Sequence, residues 1–474
     1  MNLYEKLAKE LEKQIKNGAY QFGERLPSVR QLHRETSMSI STVLQTMYLL
    51  EAKGLVEARP KRGYFVSFSP NQNVQTPVVY RPTTKEGRGS IDDTIQQVYG
   101  KNEPHDSVTN FSIGVPSSTM LPIARLKKIV RQTMLDLTDA CVHYEPIMGN
   151  PYLRRQVAQR TSLWENGLSP DDLITTNGCM NALALALMTI TKKGDRIITE
   201  SPVYFGTLQL AKSLGLEVVE MATHSEYGLD MEEVKKTLKK IDIAAVVVVS
   251  NFSNPLGYSM SAQSKRTLVK ICTNHQVPLI EEDLYGDVFF GPERPVPCKS
   301  FDKAGIVLWC SSVSKTLAPG YRVGWIAAGK YMDEVLKTKL YHQVASPSLT
   351  HEVVARFMDK GRYDNHLRQL RVSLHHNLLR YLQIIQEYFP ENTKTTFPNG
   401  GFLLWVELDP RIDTSQLYEP ALSLGIKYAP GRMFTLRDQY TNCLRLSFGL
   451  DWNEQTANAL TKLGLLLQHQ LVNY

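Results

Sequence analysis

Residues 311–325 read Ser-Ser-Val-Ser-Lys-Thr-Leu-Ala-Pro-Gly-Tyr-Arg-Val-Gly-Trp, and the reading of this stretch decides the fold. A short apolar run, 306–310, leads into it and reads as a buried strand. Hydroxyls then crowd a single lysine, Lys315, and Pro319-Gly320 makes a turn before Arg322. One lysine among hydroxyls suits a Schiff base on an aldehyde cofactor that carries a phosphate. Ser312, Ser314 and Arg322 are the groups able to bind the phosphate dianion. A lone lysine at a strand end would be a solvated cation, and it is the surrounding pattern that argues for chemistry.

Strand-like and helix-like segments alternate over 173–328, with strands expected at 174–176, 196–200, 217–220, 244–250, 278–282 and 306–310. Continuous apolar runs such as 244–249 suit a mostly parallel sheet covered on both faces. In such a sheet a ligand sits beyond the carboxyl ends of the strands, which is where most of the polar candidates fall. The segment 176–183 passes from strand through Gly178 into an Ala- and Leu-rich helix, whose first N–H groups offer an anion site. Tyr204 follows another strand. Asn254 sits in Ser-Asn-Pro-Leu-Gly after the most apolar strand, and Asp283 and Tyr285 follow the next. Glu281, Glu282 and Asp287 stand close enough to Asp283 to compete with it. Arg445 lies in a strand-like run, 443–448, and a buried arginine needs a carboxylate or phosphate partner, either internal or on a ligand.

The lysine segment resembles the cofactor-lysine motif of fold-type I pyridoxal-phosphate enzymes, the aspartate-aminotransferase superfamily, and further motifs in the same order extend the resemblance over residues 110–450. The resemblance implies an α/β fold, with a large domain built on a mostly parallel, seven-stranded-type sheet and a small α+β C-terminal domain. It implies pyridoxal 5′-phosphate held through Lys315, with backbone N–H groups of Cys179 and Met180 joining the phosphate site and Tyr204 stacked on the ring. It assigns Asn254 and Tyr285 to the phenolic oxygen. Through spacings of 29 and 32 residues it selects Asp283 as the carboxylate at the pyridine nitrogen. Arg445 would clamp a substrate α-carboxylate, and Tyr144, in Tyr-Glu-Pro-Ile-Met-Gly, would reach the neighbouring subunit's cofactor phosphate in a homodimer. Lys315 and Asp283 are thus the expected catalytic pair.

The first 68 residues read differently. Leu3, Leu7, Leu11 and Ile15 recur every four residues and mark an amphipathic helix. Ser28 caps a second helix with Val29 and Leu32 facing inward. After a turn at 37–39, a third helix carries Ile40, Val43, Leu44, Met47 and Leu50 on one face and Ser41, Thr42 and Gln45 on the other. Two strands, 55–59 and 64–68, flank a basic tip. Eleven Lys/Arg against seven Glu in residues 1–67 give +4 of the whole chain's +7, a basic head suited to phosphate backbones. This segment resembles the GntR-type winged helix-turn-helix, which implies that Arg30, Ser41, Thr42 and Gly63 lie at double-stranded DNA; charge adds Lys61 and Arg62.

The two halves together resemble the MocR/GabR-like regulators. That implies a transcriptional regulator sensing an amino acid, an amine or pyridoxal phosphate itself; a working aminotransferase with an accessory head is the alternative. The expected organisation is head 1–68, linker 69–106 and body 107–474, with the large domain over 150–345 and the small domain from 107–149 and 346–474. A short helix is expected at 91–99 within the Pro-, Asn- and Gly-rich linker. Six scattered cysteines have no metal-like spacing and read as reduced cytoplasmic thiols. No apolar run approaches 18 residues and the N-terminus is charged, so neither a membrane span nor a signal peptide is expected.

Overall fold

Leucines spaced four apart close the first helix onto the third. The computed structural model describes residues 2–17, 19–20, 23–52, 54–59, 62–66, 75–83, 91–99, 108–137 and 142–472. Helices α1 (Leu3–Lys16), α2 (Val29–Thr36) and α3 (Ile40–Ala52) are followed by the hairpin β1 (Val56–Arg59) and β2 (Gly63–Val66). The Ser28 hydroxyl accepts from the Gln31 N–H at 3.2 Å and so starts α2. Leu7, Leu11, Ile15, Leu32, Val43, Met47 and Leu50 make the head's core. Leu3 and Ile40, expected to face inward, are 60% and 48% exposed; each opens its helix, at the end where the apolar stripe runs out of partners.

Helix α4 (Ile91–Tyr99) stands where the sequence suggested one, but it is not free of the body. Ile95 and Val98 are buried in the body's main core. Upstream, residues 75–83 run along the body: the Thr395 N–H donates to the Gln75 carbonyl at 3.1 Å, and the Val78 N–H to Glu407 Oε2 at 2.7 Å. Such contacts use the backbone and leave no periodicity for a sequence reading to find.

The body continues with β3 (Thr109–Asn110), α5 (Ile123–Asp136), α6 (Pro151–Arg160), β4 (Ile174–Thr176), α7 (Cys179–Ile190), β5 (Arg196–Ser201), α8 (Phe205–Ser213), β6 (Glu217–His224), β7 (Gly228–Leu229), β8 (Ala245–Val248), β9 (Leu279–Glu282), β10 (Val307–Ser312) and β11 (Gly324–Ala327). The sheet order is β4-β11-β10-β9-β8-β5-β6-β7. The five strands from β10 to β6 are mutually parallel, while β11 is antiparallel to both β10 and β4. All six expected strands are present. The sequence reading missed β11, because Gly-Trp-Ile-Ala is too short to show a period. Sequence separation explains the crossing: β10 and β11 are joined by the lysine segment rather than by a helix, so they lie antiparallel.

A second sheet follows, of β12 (Lys394–Thr395), β13 (Leu403–Glu407), β15 (Ala429–Pro430) and β16 (Cys443–Ser447), with β14 (Ile426–Lys427) paired to β3. The fold is α/β. Among the described residues no helix is long and apolar enough to cross a membrane.

Candidate cofactor site and nucleic-acid interface

The carboxyl ends of β9 and β10, the start of α7 and the strand β16 converge on Lys315. Its amine end lies deep in the fold, and Nζ donates to the Gly114 carbonyl at 2.5 Å. Lys315 Nζ and the Tyr285 hydroxyl both come to Gly114, each 3.8 Å from where a Cβ would stand. Burial, then the charges of Arg445 and Arg322, lower the Lys315 pKa to about 8.

Gly178 ends β4's turn at φ +85°, and a Cβ there would meet Arg322 NH2 at 2.5 Å. Arg322 therefore lies flat against the turn, donating to the Asn177 carbonyl at 3.1 Å and to Ser314 Oγ at 3.3 Å. The Ser312 hydroxyl accepts from the Ser314 N–H at 3.2 Å. The N–H groups of Cys179 and Met180 open α7 at the same corner. Guanidinium, hydroxyls and helix start thus meet at one corner, groups whose chemistry suits an anion. Burial drives the Cys179 thiol well above its ordinary pKa, so that residue offers its backbone rather than a nucleophile.

Tyr204 precedes α8 and packs on Phe205 with ring centroids 4.6 Å apart; burial pushes its hydroxyl up to about 12. The Tyr285 hydroxyl is buried with no hydrogen-bond partner. Asn254 Oδ1 accepts from Arg445 NH1 at 2.9 Å. Arg445 NH2 donates to the Ser112 carbonyl and to the Tyr99 hydroxyl, the latter at 3.1 Å, and Nε is buried without a partner. The guanidinium also lies 5.2 Å from the Phe434 ring centroid. Every one of these partners is neutral. A buried guanidinium with no carboxylate is costly unless an anion arrives.

The structure places Asp283 away from the lysine. Successive strand side chains point to opposite faces. In β9, Ile280 and Glu282 face α7 and α8, whereas Leu279 and Glu281, with Asp283 just beyond, face the other way. Asp283 does not look at Lys315. Its Oδ2 pairs with Arg294 at 2.6 Å and accepts from the Trp309 indole at 3.1 Å, and its Oδ1 accepts from Asn251 at 3.0 Å. The carboxylate on the lysine's side is Glu282. It accepts from the Thr207 hydroxyl at 3.2 Å, and burial raises its pKa to about 7 against the opposing influences of Thr207 and the Lys315 charge. A shift of one residue along a strand moves a side chain to the opposite face of the sheet. Strand parity was visible in the sequence, but which parity faced the lysine was not.

Tyr144 is 87% exposed at the surface of the chain, away from these groups. Tyr99, at the end of α4, is the site residue that the sequence reading missed.

In the head, Arg30 and Ser41 are exposed and Thr42 is half-buried. The Ser39 hydroxyl accepts from the Thr42 N–H at 3.1 Å and bonds the hydroxyls of Ser41 and Thr42 at 2.8 Å, fixing the start of α3. Gly63 holds φ +102° over Arg25, whose Nε would lie 3.2 Å from a Cβ there. Arg62 is exposed at the hairpin tip; Lys61 lies outside the described residues.

Residues 106–463 match the family Aminotransferase class I and II, and residues 3–66 match Bacterial regulatory proteins, gntR family. Two relatives from Escherichia coli (strain K12) span the chain. The uncharacterized HTH-type transcriptional regulator YdcR is 33% identical over 472 residues, 99% of this chain and 100% of YdcR. YjiR, named in the same words, is 34% identical over 471 residues, 98% of each. Among solved structures, the α-aminoadipate aminotransferase LysN from Thermus thermophilus, complexed with N-(5′-phosphopyridoxyl)-L-leucine, has a TM-score of 0.74 at 22% identity. The match covers 82% of this chain and 96% of LysN. Kynurenine aminotransferase from Pyrococcus horikoshii, complexed with PMP, gives 0.73 at 23% identity over 81% of this chain and 95% of its own.

Proposed function

Because the chain belongs to the aminotransferase class I and II family and carries a gntR-family head, we propose that it is a pyridoxal 5′-phosphate-dependent transcriptional regulator that answers to an amino acid. The observation that carries this reading is the fusion itself: relatives named HTH-type transcriptional regulators align with the chain end to end, head and body together.

The residues fit the cofactor. Orphaned polar atoms at Tyr285 and Arg445, and the cup made by Arg322, Ser314, Ser312 and the Cys179 and Met180 amides, are groups that await a phosphorylated ring and a carboxylate. When bound, pyridoxal 5′-phosphate supplies an electrophilic aldehyde and an electron-withdrawing ring. Lys315 supplies the amine and, once freed by an incoming ligand, can hold or move a proton. Glu282, on the lysine's side of the sheet, would serve the ring nitrogen in place of Asp283. Asn254 and Tyr285 would hold the phenolic oxygen, Tyr204 would cover the ring, and Arg445 would take the ligand's carboxylate. In a homodimer, exposed Tyr144 would be the group to reach a neighbouring subunit's phosphate.

Lys315 attacks only as the neutral amine. With its pKa lowered to about 8, the rate at which added cofactor gains its bound absorbance rises about tenfold per pH unit below that value and levels off above it. Stopped-flow absorbance checks this, and borohydride reduction identifies the attached lysine. A Lys315→Ala protein that still retained reduced cofactor would remove Lys315 from the scheme.

The head binds duplex DNA, with Ser41 and Thr42 at base edges and Arg30 and Arg62 at phosphates. Arg30→Ala is expected to weaken binding to all sequences alike and to reduce the salt slope by about 1. Fluorescence anisotropy with genomic fragments at physiological salt tests the reading as a whole; no specific fragment means no regulator.

A second reading is a working aminotransferase with an accessory head, in which Lys315, Glu282 and Arg445 would take part. Oxo-acid release from amino acids with 2-oxoglutarate measures how much turnover accompanies sensing.

A further inference from the structure

The connection between head and body ends in the ligand site. Helix α4 is held at its start by Asp92, whose carboxylate takes Lys212 Nζ at 2.6 Å and Gln209 at 3.2 Å, both from α8. It is held in its middle by buried Ile95 and Val98. Its last residue, Tyr99, donates its hydroxyl to the Ser112 carbonyl at 2.7 Å and accepts from Arg445 NH2 at 3.1 Å. The Tyr99 ring lies 5.2 Å from Phe205, which in turn packs on Tyr204.

A carboxylate that binds a guanidinium side-on takes two N–H groups at once. On Arg445, Nε is open and NH1 is on Asn254, while NH2 is shared between Ser112 and Tyr99. The Ser112 carbonyl is main chain in a fully buried residue, and its neighbour Phe111 is held on both sides, its N–H donating to the Lys427 carbonyl and its carbonyl accepting from the Ser447 N–H. The Tyr99 hydroxyl sits on one short helix and can withdraw. We propose that Tyr99 occupies, in the ligand-free protein, the prong of Arg445 that a ligand carboxylate takes, so that a carboxylate-bearing ligand releases α4 while an amine without a carboxylate does not. This rests on the cofactor-bound regulator reading above. It makes the chain leading from the head, rather than the core of the body, the element that senses the ligand. It also narrows the effector class to compounds with both an amine and a carboxylate.

Two carbonyl reagents separate these features. Aminooxyacetate carries a carboxylate; methoxyamine does not. Each is added to the full-length protein loaded with pyridoxal 5′-phosphate, its reaction followed by absorbance, and hydrogen exchange of peptides spanning 91–99 is measured by mass spectrometry. Aminooxyacetate is expected to speed exchange of this segment about tenfold relative to methoxyamine, the scale of losing one hydrogen bond to a charged group. In Tyr99→Phe, exchange is fast with either reagent and the difference vanishes. Asp92→Asn, which loosens the other end of α4, speeds exchange but keeps the difference. If both reagents change the absorbance and the segment exchanges equally, or more slowly with aminooxyacetate, Tyr99 is a packing residue and the proposal falls. If neither reagent changes the absorbance, the cofactor reading itself has failed, and the proposal with it.

Discussion

Glu282→Gln weakens binding of pyridoxal 5′-phosphate by about 10–100-fold, the ~1.5–3 kcal/mol of a hydrogen bond to a charged group, while Asp283→Asn leaves it within about threefold. The difference follows from the two side chains' surroundings. Glu282 is buried on the lysine's side of the sheet, and burial raises its pKa to about 7 despite the Thr207 hydroxyl and the Lys315 charge, so a further cation would favour its ionised form. A protonated ring nitrogen would be that cation. Asp283 already has one in Arg294. The raised pKa carries a sign for the cofactor-free protein. Glu282 holds a proton in the folded state that it sheds in the unfolded state, so its contribution to stability is lost as pH rises from about 4.5 to about 7. Glu282→Gln removes that dependence. Titration of the two variants with cofactor, followed by absorbance, decides the assignment; loss of binding in Asp283→Asn with retention in Glu282→Gln would return the role to Asp283.

Arg294→Ala destabilises the protein by about 3–5 kcal/mol, the usual consequence of leaving buried carboxylates without their partner. Arg294 serves two of them, at 2.6 Å from Asp283 and 2.7 Å from Asp287. Asp287 keeps Arg160 at 3.4 Å and the Tyr363 hydroxyl at 3.3 Å, so the cluster is weakened rather than abolished. In the parent protein, burial opposes ionisation of Asp287, but Arg160 and Arg294 outweigh it and hold its pKa well below the usual carboxylate range. That contribution is present above the unfolded carboxylate value and is lost as pH falls toward the folded one. Removing Arg294 raises the folded value, so the variant's deficit is widest near neutral pH and narrows in acid. Urea unfolding at several pH values reads this directly. An unchanged midpoint at neutral pH would mean that the cluster is solvated.

The residues of the site divide by what a sequence can carry. Lys315, Ser314 and Arg322 were legible from the strand, hydroxyls and turn around them, and Tyr285 and Arg445 from the family resemblance; the structure brings Lys315 close to Tyr285, Arg322 and Arg445. The parallel sheet was legible because buried strands such as β8 are apolar throughout. The acid on the lysine's side was not legible, because a run of Glu-Glu-Asp offers three acids with no mark of direction. Their faces are fixed only when β9 is seated between β8 and β10, and alternation then sends Glu282 to the lysine and its neighbours away from it.

The sequence by itself determined a DNA-binding head, an aminotransferase-type body and the lysine around which that body is built. These depend on local pattern: periodicity, turn residues and motif order. Only the tertiary structure shows which carboxylate lies on the Lys315 side of the sheet and that the connecting segment reaches Arg445. Tyr99 and Arg445 are 346 residues apart in the chain, and their hydroxyl–guanidinium contact exists only because α4 buries Ile95 and Val98 against the body. Long-range packing sets such contacts, and no spacing along the chain encodes them.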